Sequence, residues 1–314
     1  GGDFKGVTAK LDYLKELGVD SIWLTPIVEN VPQNVGSATD GEYYAYHGYW
    51  ASNFEELNPH LGSLADFHEL IDAAAEKGIN IIVDVVLNHA GYGAEETFEG
   101  MVRTKEEDKQ GDDQLGSLSG LPDFKTEEAT VRNQLVAWQA SWLKRSTTAK
   151  GNSIYGFRVD TVKHVDDTTW QHFKNELVDR DPDFHLIGET WGANYKDTKG
   201  DLGIGTMDSL LDFGFKDIAK YLVNGQLKAA GKELEERSKV LTSAASLGQF
   251  LGSHDEDGFL YSLGGAEKEG NLDKLKLAAS LLITAKGQPV IYYGEELGQS
   301  GQNNWPVYDN RYDF

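Results

Sequence analysis

The 314-residue sequence contains no cysteine. That excludes a disulfide framework, a thiolate zinc site and a cysteine nucleophile. Basic residues are scarce as well: 29 Lys and Arg stand against 51 Asp and Glu, a formal net charge of −22 at pH 7. A surface so acidic repels phosphate backbones, which excludes nucleic-acid binding by charge neutralisation, and it disfavours anionic membranes. It suits a neutral substrate. No apolar run approaches the roughly 18 residues that begin to suggest a bilayer span. No signal peptide is legible, and the Gly1-Gly2 start reads as a cut inside a longer chain. Repeats of fixed period and low-complexity tracts are missing too, so solenoid and linker architectures drop out. What is present is a large apolar complement, 39% of the residues with 7 Trp among them, enough for a substantial core and too much for a disordered acidic chain.

Helical and strand-like stretches alternate along the chain. Residues 8–17 (TAKLDYLKEL) place Leu11, Leu14 and Leu17 on one helical face, with Gly18 as a stop. SIWLTP (21–26) is a short apolar run ended by Pro and predicts a buried parallel strand, followed by a polar loop to about residue 62. Ser63 with Asp66 three residues on predicts a capped helix over 64–77, ended by Gly78. NIIVDVV (80–86) reads as a strand buried on both faces. Residues 90–122 break the alternation and predict an inserted loop domain, after which helices are expected over about 127–146 and 167–179. Further strands are expected at 156–160, 185–189, 207–213, 247–254 and 289–294. Seven strands with crossover-length connections predict a parallel sheet. The expected fold is therefore α/β, a (β/α)8 barrel lacking its first strand and last helix, with residues 1–89 and 123–314 in the barrel and 90–122 inserted after the third barrel strand.

In such a barrel the chemistry gathers at the C-terminal ends of the strands. There the sequence places Asn88-His89, Asp160, Glu189 and His254-Asp255, with Arg158 beside them. Carboxylates after a strand can simply cap the next helix, but three of them with an arginine and two imidazoles make a catalytic rim. A metal hydrolase and a two-carboxylate glycosidase both fit such a rim. No His-x-His or His-Glu-x-x-His spacing supports the first. Loop aromatics (Tyr43, Tyr44, Tyr46, Tyr49, Trp50 and Trp191) favour the second, since flat rings stack on pyranoses.

Four segments, DVVLNH (84–89), GFRVDTVKH (156–164), GET (188–190) and FLGSHD (250–255), resemble in order the signature regions of the α-amylase family, glycoside hydrolase family 13. GVDSIWLTP (18–26), YHGYW (46–50), LPDF (121–124) and GQPVIYYGEE (287–296) extend the resemblance over nearly the whole chain. It implies Asp160 as nucleophile, Glu189 as general acid/base and Asp255 as the carboxylate that holds the sugar 2- and 3-hydroxyls. By the same resemblance His89 and His254 bond hydroxyls of the sugar at the cleavage point, and Tyr49 is its stacking platform, with Trp50 and Trp191 further sugar contacts. Lys163 and His164 match leaving-group contacts, while Arg158, two residues before Asp160, leaves the strand on the same face and keeps that carboxyl ionised. The implied reaction is retaining hydrolysis of α-1,4-glucosidic bonds by double displacement, with an acid–nucleophile separation of about 5–5.5 Å.

The resemblance also implies a structural Ca²⁺ held by Asn88, Asp123 and the backbone carbonyl of His164, pinning the insert to the barrel, and no organic cofactor. The expected partner is an α-glucan or maltooligosaccharide, the expected location extracellular. An oligomer is expected if another chain completes the barrel seam. The Thr-Val-Lys-His string at 161–164 looks like α-amylases and cyclodextrin glucanotransferases, and GETWG and NRYDF like bacterial amylases and amylopullulanase modules. Region four departs from the family in its Glu256-Asp257-Gly258. The leading expectation is an endo-acting hydrolase; a glucan transglycosylase and a non-catalytic glucan-binding fragment are the alternatives.

Overall fold

The computed structural model describes residues 2–196, 206–241, 243, 245 and 247–313. The chain divides into two compact units, Gly1–Gly188 and Glu189–Phe314.

The first unit opens with α1 (Phe4–Ala9) and α2 (Leu11–Leu17), where the sequence predicts one helix. Asp3 caps α1 through the amide of Gly6, and the helix breaks at Lys10. Of the predicted apolar face only Leu11 is buried; Leu17 is exposed. Phe4, outside the predicted helix, does the anchoring, stacked 4.8 Å from Phe67. Strand β1 (Ser21–Leu24) follows, then β2 (Val28–Asn30) and β3 (Ala51–Leu57). These last two form an antiparallel ribbon where the sequence predicts only loop. The ribbon escapes a period-two reading because it is bulged at two places and because β3 buries Ala51 and Phe54, three residues apart.

Helix α3 (Leu64–Glu76) carries the expected capping box: Ser63 and Asp66 each accept or donate across the first turn. Strand β4 (Asn80–Val85) is buried at five consecutive positions, as a two-sided parallel strand should be. Residues 90–122 contain turns and no helix or strand; Val102 among them bridges Phe124, and the flanking His89 and Asp123 bridge each other. Phe98 of this segment packs against Phe54, Phe124 and Trp138. Helix α4 (Ala129–Arg145) buries Trp142, whose indole donates to the carbonyl of Phe54 at 3.0 Å. Strand β5 (Gly156–Val159), α5 (Asp167–Arg180) and β6 (His185–Gly188) complete the unit. The strands run β1-β4-β5-β6, all parallel, with Val83 opposite Leu24 and Phe157, and Phe157 opposite Leu186.

The second unit contains β7 (Ser209–Asp212), α6 (Phe215–Val223), α7 (Leu227–Val240), β8 (Leu247–Phe250), α8 (Phe259–Ser262), α9 (Asn271–Thr284) and β9 (Gln288–Val290). β7, β8 and β9 are parallel neighbours. Each is shorter than its apolar run predicts, because the residues after Phe250 and Val290 turn away as the chain enters the loops. Phe215, Leu251, Phe259, Leu275 and Leu282 form the core of this unit. Under it lies a buried polar knot: Arg237 donates to Asp212 Oδ2 at 3.0 Å and to Gln249 Oε1 at 3.0 Å, and also bonds the carbonyl of Lys286. Gly287 has φ 137°, and a Cβ there would lie 1.8 Å from Gln249 Oε1, so the knot requires glycine. Among the described residues no helix is long and apolar enough to cross a membrane.

Candidate active site

In the first unit the ends of β4 and β5 bring four of the expected residues together. Arg158 and Asp160 lie two apart on β5 and its exit, so their side chains leave on one face. Arg158 Nη1 donates to Asp160 Oδ1 at 2.6 Å and to both oxygens of Asp84 at 3.1 Å. Arg158 and Asp84 are almost completely buried; Asp160 keeps 8% of its surface exposed. A buried guanidinium between two carboxylates fixes the orientation of both. Tyr49, whose hydroxyl donates to Asp84 Oδ2 at 2.5 Å, and Trp23, whose indole donates to the same oxygen at 3.1 Å, complete the arrangement. Both rings also lie near the guanidinium carbon, at 5.9 and 4.9 Å.

Asp84 and Trp23 were not among the expected site residues. The available signal was a carboxylate inside an otherwise apolar strand, which needs a buried cation. His89 is buried at the end of β4, and burial pushes its imidazole below the usual range against the opposing pull of Asp160. It therefore stands neutral, able to donate from one ring nitrogen and accept at the other.

After Asp160 the chain kinks. Thr161 sits at φ 50°, ψ 42°, a left-handed conformation that a β-branched residue enters only with strain. The tight turn Val162–His164 follows. Its side chains face the insert: His164 Nδ1 bonds the carbonyl of Asp113 at 2.7 Å, and Lys163 lies 3.6 Å from the Asp113 carboxylate. Trp50 belongs to an aromatic wall, its ring 4.4 Å from His47 and 5.0 Å from Tyr92.

Asn88, Asp123 and the carbonyl of His164 also meet. The Asn88 amide lies 3.0 Å from His164 O and 3.3 Å from Asp123 Oδ1. With its nitrogen turned toward them the amide donates to both. With its oxygen turned, three hard donors from three distant segments face one another, a set that fits Ca²⁺. Asp123 Oδ2 accepts from Arg103 Nε at 2.8 Å, and burial raises the Asp123 carboxyl to about 7 despite that arginine. No three His, Asp or Glu side chains cluster as a metal site among the described residues, so any cation here relies on the amide and the carbonyl.

In the second unit Glu189 is buried, and Trp191, half exposed, packs its ring 5.1 Å from Phe213. His254 Nε2 lies 3.0 Å from Asp255 Oδ2. The turn that carries this pair is gripped by the last described segment. Asn310 donates to the carbonyls of Ser253, His254 and Glu256 at 2.9–3.2 Å. Asn303 donates to the carbonyl of Asp255, while Arg311 bonds the carbonyl of His254 at 2.9 Å and reaches Asp255 Oδ1 at 3.4 Å. Their role was hidden in sequence, although NRYDF carried the hint. The departure at region four is also accounted for: Glu256 pairs with Lys216.

Glu295 of GQPVIYYGEE abuts Gly252, where a Cβ would come within 2.6 Å of its Oε1. Burial raises its carboxyl from 4.5 to about 7, with Glu296 adding to the shift and the Tyr292 backbone opposing it. The folded chain thus keeps a proton that the unfolded chain releases, so stability is full below about pH 4.5 and declines until about pH 7. Glu295→Gln removes this decline. In urea titrations the wild type loses up to about 3 kcal/mol more than the variant between pH 4.5 and 8; equal losses would show that Glu295 ionises at no cost.

The family model of the alpha amylase catalytic domain matches residues 1–113 and 115–312. An alpha-amylase of Streptomyces lividans is 30% identical over 380 aligned residues, covering 96% of this chain and 40% of that protein. The alpha-amylase of Geobacillus thermoleovorans, solved with acarbose, superposes with a TM-score of 0.82 at 33% identity, covering 100% of this chain and 68% of that one. The cyclomaltodextrin glucanotransferase CldA superposes with a TM-score of 0.81 at 25% identity, again over 100% of this chain and 68% of its own. The chain thus spans half or less of the length of the first curated relatives it matches.

Proposed function

The chain belongs to the alpha-amylase family, whose catalytic domain is an α/β barrel, and on that premise we propose that it is an endo-acting, retaining hydrolase of α-1,4-glucosidic bonds in starch and related glucans. The observation that carries this reading is the buried Asp84–Arg158–Asp160 arrangement. It ties Asp160 Oδ1 and leaves attack on the anomeric carbon to Oδ2, from a carboxylate already aimed. Glu189 protonates the glycosidic oxygen and then takes the proton of the water that releases the glycosyl-enzyme. Asp255, braced by Arg311, holds the 2- and 3-hydroxyls, on which bonds tighten as the ring flattens. Neutral His89 hydrogen-bonds a hydroxyl of the same sugar, and Tyr49 offers its ring face.

Asn88, Asp123 and the backbone carbonyl of His164 would hold Ca²⁺, which would supply charge fastening the insert to the end of β4. A polymeric substrate supports an extracellular location. Likeness to CldA supports transglycosylation as the second reading. Starch digestion followed by product analysis and NMR of the first-formed anomer tests both. Linear α-configured maltooligosaccharides are expected. Cyclic products favour the transferase, a β-anomer overturns retention, and no cleavage leaves a glucan-binding fragment.

A further inference from the structure

Arg103 belongs to no part of the catalytic rim, yet its side chain is only 5% exposed and is locked on every side. Nε bonds Asp123 Oδ2 at 2.8 Å, and the two terminal nitrogens fork onto both oxygens of Glu127 at 2.7 and 2.6 Å. One of them also lies 3.4 Å from the carbonyl of Gln114. Asp123 itself is 2% exposed, whereas Glu127 is partly in solvent at 42%. The charge of Arg103 is therefore committed mainly to the buried partner, because water screens its interaction with Glu127.

We propose that Arg103 sets the cation affinity of the Asn88–Asp123–His164 oxygens, holding it low by lending a fixed positive charge to their single carboxylate. The inference rests on the reading of those oxygens as a Ca²⁺ site. Of the three donors only Asp123 can carry charge; the Asn88 amide and the His164 carbonyl are neutral. Arg103 cancels that charge from the side facing away from Asn88, and it leaves the carboxylate only Oδ1 for a cation. A buried like charge beside a cation site weakens binding. The same arginine does part of the cation's work, joining residue 103 to residues 123 and 127 whether or not a metal is bound.

Removing Arg103 does not let Asp123 drift, because the backbone holds it. The amide of Arg103 donates to Asp123 O at 2.8 Å, that of Ala90 to Pro122 O at 2.9 Å and that of Phe124 to Asn88 O at 2.9 Å. Charge removal, not mispositioning, then dominates in Arg103→Gln.

The test is calorimetric titration of calcium chloride at pH 9, above the raised range of the Asp123 carboxyl, into the chelator-stripped full chain, as wild type, Arg103→Gln and Arg103→Lys. Arg103→Gln is expected to bind Ca²⁺ at least about tenfold more tightly than wild type. Arg103→Lys, which keeps the charge and loses the fork, is expected within about threefold of wild type. Should Arg103→Gln be unfolded without metal, the midpoint of its calcium-dependent folding by circular dichroism gives the same comparison. Arg103→Gln binding no tighter than wild type overturns the inference and leaves the site in place, as does Arg103→Lys binding as tightly as Arg103→Gln. Absence of binding in all three proteins overturns the site itself, and the inference with it.

Discussion

With Asp160 as the proposed nucleophile, Asp160→Asn is expected to lower kcat on maltooligosaccharides by at least about 10³-fold, because an amide oxygen cannot form the glycosyl-enzyme that splits the displacement into two steps. The fold is expected to survive. Asparagine keeps an acceptor for Arg158 Nη1, and that nitrogen retains both contacts to Asp84. The informative comparison is Asp84→Asn. Asp84 touches Arg158, Tyr49 and Trp23, and its loss leaves a buried guanidinium with one carboxylate in place of two. Each variant leaves the guanidinium one full carboxylate, so both should lose some melting temperature as well as kcat, Asp84→Asn the more because Tyr49 and Trp23 also donate to Asp84. Measured together, unfolding curves and single-turnover rates separate the two. If Asp160→Asn retained a tenth of wild-type activity, Asp160 would not be the nucleophile.

Replacement of Arg237 by Met is the largest stability change expected in the second unit. Arg237 and Asp212 are each about 1% exposed, and the pair is joined at 3.0 Å. Removing one partner leaves the other charge in an apolar setting and costs about 3–5 kcal/mol. It also strips a donor from the buried Gln249 Oε1 and from the carbonyl of Lys286. Burial already raises the Asp212 carboxyl against the pull of Arg237, so the variant should meet part of the cost by protonating Asp212. Urea unfolding at pH 5 and pH 8 tests this: the Met variant should be weakest at the higher pH. A double variant, Arg237→Met with Asp212→Leu, should recover most of the loss, since neither charge then remains unpaired. Failure to recover would place the cost in packing around Phe215, over which the guanidinium lies at 5.1 Å.

Much of the fold was legible. Seven strands and helices α3, α4 and α5 lie where apolar periodicity and capping residues predict them, because both signals act over a few residues. The first helix was not legible as two. Neither its break at Lys10 nor the docking of Phe4 against Phe67, 63 positions along the chain, is encoded in a local pattern. The β2–β3 ribbon stayed hidden for a related reason. Its bulges destroy the alternation by which a strand announces itself, and its pairing is set by burial of Phe54 under Trp138 and Trp142.

The sequence by itself determined which groups stand at the strand ends: Asp160, Glu189 and Asp255, two imidazoles and an arginine, in an order that marks the family. Chemistry needs residue types, and types are read directly. Only the tertiary structure decided what holds them. Asp84 meets Arg158 across 74 positions and Asn310 grips the carbonyl of His254 across 56; away from the rim, Arg103 reaches Asp123 across 20. Such pairings carry no periodic trace, because a buried charge accepts any partner that the packed chain delivers within hydrogen-bonding distance.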